Sequence, residues 1–345
     1  MSDVRILADD LTGALDAAAP FASPDAPVRL ILSDGGMPGA KVTISSESRD
    51  LPEDQSRAAV GRAFQLLGDG GDNVNRTAQD RALWFKKVDS VLRGNSILET
   101  IEMMRCGAFS TCIFAPAFPE MGRRTRDGMH EVRSGNDWEP ASVHDLRQAF
   151  ADFGVEAQMF SPENPVKGVV IGNAVTQSDL DVLVARCRDV PDILWAGSRG
   201  LAQALTPEFT SRPQPRLSVI VAGTAHPVTR KQIANAVRHG LGSVANGPVL
   251  LDPVPTAKNA EETVAALMEE VPKLSVHPGT GLMVIGGDTL SAILAASGAQ
   301  SMECFGEVGP GLPVSRILGG QFDGVDIVTK SGGFGDEALI ERMIA

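Results

Sequence analysis

The 345-residue chain is long for a single hydrophobic core, and its 43% hydrophobic and 21% charged residues are ordinary for a globular protein, so two domains are expected. A formal net charge of −12 argues against a general nucleic-acid binder, which needs clustered Lys and Arg, and against adsorption to an anionic membrane. A small anion is not excluded, since a local group of cations can outweigh acid elsewhere.

In chain order, short apolar runs alternate with amphipathic segments, the pattern of an α/β fold with largely parallel sheets. Strands are predicted over 4–8, 28–32, 41–45, 83–88, 111–115, 168–172 and 193–197, and helices over 56–68, 96–107 and 176–188. The first strand runs into ADDLTG, which sets Asp9, Asp10, Thr12 and Gly13 where a strand turns into a helix. Helix capping explains one Asp there. Two Asp with Thr and Gly exceed that need and suit hydroxyl orientation, proton removal or Mg²⁺ ligation. Alternation along the strand turns Asp9 away from Asp10, so Asp9 is expected to be structural.

The same layout follows the strand at 83–88, where Lys87, Asp89, Ser90, Arg93, Gly94 and Asn95 crowd one strand end. Lys and Arg suit a carboxylate or phosphate, and Asp, Ser and Asn suit a polyhydroxylated ligand. A solvated charged loop is the plainer alternative. In FAPAFPEMGRRTRDG (114–128) the prolines predict a rigid loop, with Arg123 and Arg124 compatible with a basic surface.

Periodicity stops at TPEFTSRPQPRLS (206–218), with three prolines in nine residues, which marks a domain boundary near residue 212. The expected domains are 1–210 and 217–345. Beyond the break, strands are predicted at 218–223, 249–254, 281–287 and 325–329, with helices at Val228–Val237, Ala260–Val271 and from Leu290. Four glycine-bearing loops follow strands: VAGTAHPVT, VIGGDTLSAIL, GEVGPGLPVSRILGG and TKSGGFGDEAL. Together they suit a composite phosphate cradle backed by helix N-termini.

Neither GxGxxG after the first strand nor GxxxxGK[ST] is present, so a Rossmann dinucleotide site and a Walker loop are unsupported. The five histidines show no metal spacing. Cys106, Cys112, Cys187 and Cys304 form no CxxC pair, which disfavours structural zinc and a disulfide framework and favours reduced thiols in the cytoplasm. No signal peptide is recognisable, and no stretch approaches the roughly 18 apolar residues of a spanning helix.

The ordered motifs ADDLTGALDAA, KVDSVLRGN, APAFPEMGRRT, AGSRGLA, GGDTL, GPGLPVSRI and KSGGFGDEALI resemble those of the four-carbon acid sugar kinase family over nearly the whole chain. The resemblance implies an N-terminal sugar-acid-binding α/β domain, a C-terminal nucleotide-binding domain and an active site in the inter-domain cleft. The implied activity is ATP-dependent phosphorylation of an acid such as threonate or erythronate, with Mg²⁺ as cofactor. Carried over by position, it implies Asp10, Thr12, Lys87, Asp89, Ser90 and Arg93 at the sugar acid. It implies Thr224, Gly286, Gly287, Asp288, Thr289, Gly332 and Gly333 at ATP. Asp10 is the expected general base with Asp89 as runner-up, and Arg93 is expected to clamp the substrate carboxylate.

Metal ligands are not assigned, and a homodimer is compatible with the sequence. The chain departs from the family at Gly223-Thr224-Ala225-His226, where a Gly-Ser-Cys-Ser-like turn is usual, and at Asn173, where an acidic residue is common. Two other classes stand beside a kinase. A nonenzymatic sugar-acid sensor would not need the glycine loops, and a nicotinamide-dependent dehydrogenase would need the missing fingerprint.

Overall fold

A computed structural model describes residues 3–32, 39–68, 82–206, 211–242 and 247–344. In chain order the first part holds β1 (Val4–Ala8), α1 (Leu11–Ala18), β2 (Val28–Ile31), β3 (Lys41–Ser45), α2 (Glu53–Leu67), β4 (Leu83–Lys87), α3 (Ser96–Cys106) and β5 (Thr111–Ala115). There follow β6 (Arg123–Arg126), β7 (Met129–Ser134), β8 (Asp137–Asp145), α4 (Leu146–Ala151), β9 (Ala157–Met159), β10 (Gly168–Ile171), α5 (Gln177–Cys187), β11 (Ile193–Gly197) and α6 (Arg199–Ala204). The remainder holds β12 (Leu217–Ala222), α7 (Pro227–Arg238), β13 (Val249–Leu251), α8 (Ala260–Glu270), β14 (Gly281–Ile285), α9 (Gly287–Ser297), β15 (Ser301–Glu307), β16 (Pro313–Leu318), β17 (Asp326–Lys330) and α10 (Leu339–Ile344). Among the described residues no helix is long and apolar enough to cross a membrane.

Packing divides the chain into two units, Met1–Phe21 with Met37–Phe209, and Ala22–Gly36 with Thr210–Ala345. The first unit's sheet runs β3-β1-β4-β11-β5-β10-β9, all parallel. Its inner strands read as continuous apolar runs because both faces are covered. The alternation of β4 sends consecutive lysines to opposite faces. Trp84 stacks on Phe64 of α2, and Lys86, on the same face, meets Glu99 of α3. Phe85 meets Phe21 edge-on, and Lys87 on that face approaches Asp16 of α1. Since β3 and β4 flank β1 on opposite sides, the loops after β1 and β4 diverge at a topological switch point.

The second unit's sheet has β13-β12-β14-β17 parallel, continued antiparallel by β16, β15 and β2. Ile220, Ala222, Met283, Ile285 and Val328 of this sheet form a core with Ile233 and Ala236 of α7 and Ile340 and Met343 of α10. The strand at 28–31, expected within a domain of residues 1–210, lies in this second sheet. Val28 and Leu30 are fully buried, and Arg29 between them pairs with Glu303 at 2.7 Å in cross-strand register. An apolar run predicts a strand but not the sheet that takes it. Of the proline-rich break, Pro207–Thr210 lie outside the described residues.

The loop expected over 114–128 instead contains a short 3-10 turn and β6, which opens an antiparallel sheet β6-β7-β8. That sheet carries few apolar side chains, so the alternation that marks a half-buried strand is faint. Arg124 is engaged there, paired with Glu131 at 2.7 Å and stacked 3.8 Å over the Trp138 ring. Thr176 and Asp179 form the capping box expected at the start of α5.

Candidate active site

At the carboxyl ends of β1, β3 and β4 the first unit gathers three carboxylates around one guanidinium. Arg49 donates from Nε to Asp9 Oδ2 at 2.7 Å and from Nη1 to Asp10 Oδ2 at 2.6 Å, with Nη2 3.9 Å from Asp89 Oδ1. Burial opposes the charge on Arg49, but the three acids outweigh it and hold the side chain firmly protonated. Asp9 is buried, which by itself would raise its pKa, yet Arg49, Lys86 and Lys87 hold it below the usual carboxylate range. The expected separation of Asp9 from Asp10 does not occur, because strand alternation ends where the chain turns into α1.

Asp10 caps α1, accepting Gly13 N–H at 2.7 Å on Oδ1 and the Thr12 hydroxyl at 2.9 Å on Oδ2. Capping and charge pairing with Arg49 therefore coexist in one side chain. Asp89 accepts four hydrogen bonds, from Val91 N, Arg93 N, Arg93 Nε at 3.0 Å and Arg93 Nη2 at 2.7 Å. Burial works against its charge, but Arg93, Arg49 and Lys87 hold it far below the usual range. Arg93 is half exposed at 49% and turns two of its guanidinium nitrogens to Asp89, leaving Nη1 outside that pair. Lys87 is buried, donates to Val88 O at 2.9 Å and lies 3.9 Å from Asp16 Oδ2. Burial pushes the Asp16 carboxyl up, and its Oδ1 has no hydrogen-bond partner among the described residues.

A second tier holds Arg49 in place. Glu99, fully buried, accepts Ser48 Oγ at 2.6 Å and Ser56 Oγ at 2.9 Å and pairs with Lys86 at 2.9 Å. Breaking such a pair from one side costs about 3–5 kcal/mol, so the loop beside Arg49 is stiffly anchored. Gly94, at φ +68°, lets the loop after β4 lie against Arg49 O, since a Cβ there would come within 2.3 Å of it. Ser90 is buried, and its carbonyl meets His130 Nε2 at 3.0 Å. A carbonyl accepts only, so Nε2 carries the proton and Nδ1 takes the Thr125 hydroxyl at 3.0 Å. Burial keeps that ring neutral.

The second unit's cluster is built mainly of backbone. Ala222, Ile285 and Lys330 stand level across β12, β14 and β17, so the three following loops leave one sheet edge together. Gly286 caps α9 at φ +110°, where a Cβ would meet Thr289 Oγ1 at 3.0 Å and Thr224 Cβ at 3.3 Å. A Cβ on Gly332 would meet Thr224 Oγ1 at 2.9 Å, and one on Gly333 would meet His226 Nε2 at 3.2 Å. Thr289 is buried and accepts Gly223 N–H at 3.1 Å, tying two of the loops. The Gly311 turn between β15 and β16 packs on Phe334, which brings the fourth glycine loop to the same edge. Gly287 and the exposed Asp288 lie in the first turn of α9. Among the described residues no three His, Cys, Asp or Glu side chains group as a metal cage.

Two family models match the chain, a sugar-binding N-terminal domain over residues 4–159 and a nucleotide-binding C-terminal domain over 253–340. The D-threonate kinase of Salmonella typhimurium is 24% identical over 97% of this chain and 96% of its own length. That of Bordetella bronchiseptica is 27% identical over 98% and 96%. The chain belongs to the four-carbon acid sugar kinase family. A Salmonella typhimurium protein whose crystal structure was described as that of a tRNA synthase shares the fold, with TM-score 0.75, 18% identity and coverage of 99% of this chain and 98% of that one. At that identity the likeness speaks for the fold alone.

Within this family member, the positions carried over by motif fall into two groups, Asp10, Thr12, Lys87, Asp89, Ser90 and Arg93 in the first unit and Thr224 with the glycine loops in the second. Arg49 was not anticipated. SSESRD follows the strand predicted at 41–45, but a lone Arg in a short loop does not announce its partners, and that this strand lies beside β1 is seen only in the structure. Lys330, which opens the loop TKSGGFGDEAL after β17, turns its ammonium into the protein, donating to Ser331 O and Phe334 O. His226, the departure from the usual turn, takes over capping by accepting Val228 N–H on Nδ1 at 3.3 Å.

Proposed function

We propose that the protein phosphorylates a hydroxyl of a four-carbon sugar acid of the threonate or erythronate kind, using ATP. The observation that carries this reading is the coincidence of each family match with a cluster of the corresponding chemistry. The sugar-binding match covers the acids and cations around Arg49, and the nucleotide-binding match covers the loops at Gly286 and Gly332. In this reading residues 1–210 supply the sugar-acid domain and 217–345 the nucleotide domain, with Ala22–Gly36 added to the latter.

Phosphoryl transfer asks a protein chiefly for positioning and charge neutralisation. Lys87 and the Nη1 edge of Arg93 suit the substrate carboxylate, while Thr12, Ser90 and the aspartates suit its hydroxyls. Of the two candidate bases, Asp89 has its oxygens occupied by four donors and its basicity strongly depressed. Asp10, with three donors against the four on Asp89, is the proposed proton acceptor, steered by Arg49 and Thr12. Thr224 and the amides of Gly286, Gly287, Gly332 and Gly333 suit the phosphates.

A Mg²⁺ carried by the nucleotide fits a site with only scattered carboxylates, since it takes most ligands from phosphate and water, and the exposed Asp288, beside Gly287, is an acid that could hold it. When bound, the ion neutralises phosphate charge. In this reading the reaction takes place in the cytoplasm, where ATP is supplied.

The test is ATP consumption by the full chain against a panel of four-carbon sugar acids. Turnover with one of them is expected. A protein stabilised by sugar acid but not by Mg-ATP would instead be a sensor.

A further inference from the structure

The loop after β17 is organised around a buried cation. Lys330 is fully buried, and its ammonium donates to Ser331 O and Phe334 O at 2.9 Å and reaches Gly332 O and Thr229 Oγ1 at 3.4 Å. From α7, the Thr229 hydroxyl donates to Gly332 O at 2.7 Å, and Gln232 Nε2 donates to Phe334 O at 2.9 Å and Asp336 O at 2.8 Å. Four carbonyls of one short loop are thus drawn to the same side.

A trans peptide plane points its C=O and the next N–H in opposite directions. With the carbonyls of Ser331, Gly332 and Phe334 turned inward, the N–H groups of Gly332, Gly333 and Gly335 turn away from the ammonium. Among the described residues none of these three amides donates to a protein acceptor. Gly332 lies against Thr224 and Gly333 against His226, so two of these amides belong to the edge described above. A row of outward amides over a buried positive charge is an anion-binding arrangement.

Resting on the nucleotide-binding reading of this unit, we propose that Lys330 is the positioning residue of the phosphate loop, gathering its carbonyls so that the amides of Gly332, Gly333 and Gly335 face the nucleotide's phosphates. Burial pushes the ammonium down to about 7, with no carboxylate within ion-pair distance among the described residues. An anion across the loop supplies the opposite charge that the fold does not. Lys330 thus acts on the nucleotide through the backbone, which explains why its charge is hidden.

The test uses the full chain and two probes, Mg-ATP and Mg-tripolyphosphate, titrated calorimetrically against wild type, Lys330→Met and Lys330→Gln. Lys330→Met should weaken both probes about 30-fold, the scale of losing charge-assisted hydrogen bonds, and Lys330→Gln, with two donors but no charge, should fall between. The KM for ATP should rise while that for the sugar acid stays within about two-fold, a split that general loosening of the fold would not produce. A folded Lys330→Met that binds both probes as wild type does overturns the proposal. Should that variant not fold, Thr229→Val, which removes the hydroxyl that donates to Gly332 O and accepts from Lys330 Nζ, carries the test. About five-fold weaker binding is expected, and no change overturns the proposal. If wild type binds both probes and loses them on substitution but phosphorylates no sugar acid, the functional reading falls and the loop assignment stands. If wild type binds neither probe, both fall.

Discussion

Around Arg49 the first unit works with side chains, several of them buried and charged, held by other charges. Around Thr224 the second unit works with bare peptide, a cap at Gly286 and amides beside two further glycines. The difference follows from the ligands each would hold. A sugar acid presents hydroxyls in a fixed stereochemical order, which only directional side chains can tell apart. A polyphosphate presents repeated anionic oxygens, which N–H groups meet without the entropy loss of long side chains. Side-chain recognition demands buried ionisable groups, and these need a supporting tier such as Lys86, Glu99, Ser48 and Ser56. Backbone recognition demands close approach instead, and so glycine.

The sharpest way to break this comparison is Asp10→Asn, which keeps size and one acceptor oxygen but removes basicity. Turnover should fall roughly 10²–10⁴-fold while calorimetric Mg-ATP affinity is retained. Near-normal turnover, beside an inactive Asp89→Asn, would move the base to Asp89.

Next in size is the double variant Gly286→Val with Gly332→Val. Valine at φ +110° is strained, and at Gly332 it fills space against Thr224. Mg-ATP affinity should fall about 100-fold or more, with sugar-acid binding kept. Undiminished ATP binding in a folded double variant would show that side chains, not backbone, make the second cluster.

Arg49→Lys is a milder probe of the first cluster, preserving charge but not the fork that reaches Asp9 and Asp10 together. The KM for sugar acid should rise about ten-fold in steady-state assays, with the KM for ATP unchanged. An equal rise in both constants would mean that Arg49 serves the fold rather than the sugar acid.

The smallest expected effect is on stability. Burial raises the Asp16 pKa, so above the usual 3.8 the folded state holds a proton that the unfolded chain releases. Its contribution is complete below that value and is lost as pH rises. Asp16→Asn escapes the loss. In urea melts its advantage over wild type should be small near pH 4 and grow steadily towards pH 7. A gap that does not change with pH would mean that Asp16 is not strained by its burial.

Local pattern made much of this protein legible. Apolar runs marked the buried parallel strands, and polar or glycine-rich stretches at their ends marked both clusters, because a strand end is where such residues serve a ligand. The capping box at Thr176 and the glycine at Gly286 could be read for the same reason, since each answers a need of its own few residues. Weakly apolar strands such as β6 and β8 were not legible, because alternation fades where little is buried.

What tertiary structure alone decided are the meetings between distant segments. Arg49 reaches Asp9 and Asp10 from about forty positions away because β3 lies beside β1, and that adjacency follows from sheet order, which no periodicity encodes. β2 joins the second sheet beside β15, where Val28 and Leu30 are buried and Arg29 meets Glu303 across 274 positions. Lys330 turns inward because it continues the face of β17 that carries Val328, and that face is covered by α7 and α10. Its sequence neighbours are the glycines of the loop after β17, but its environment is set by a helix a hundred residues earlier, and for a buried charge the environment decides which groups it meets.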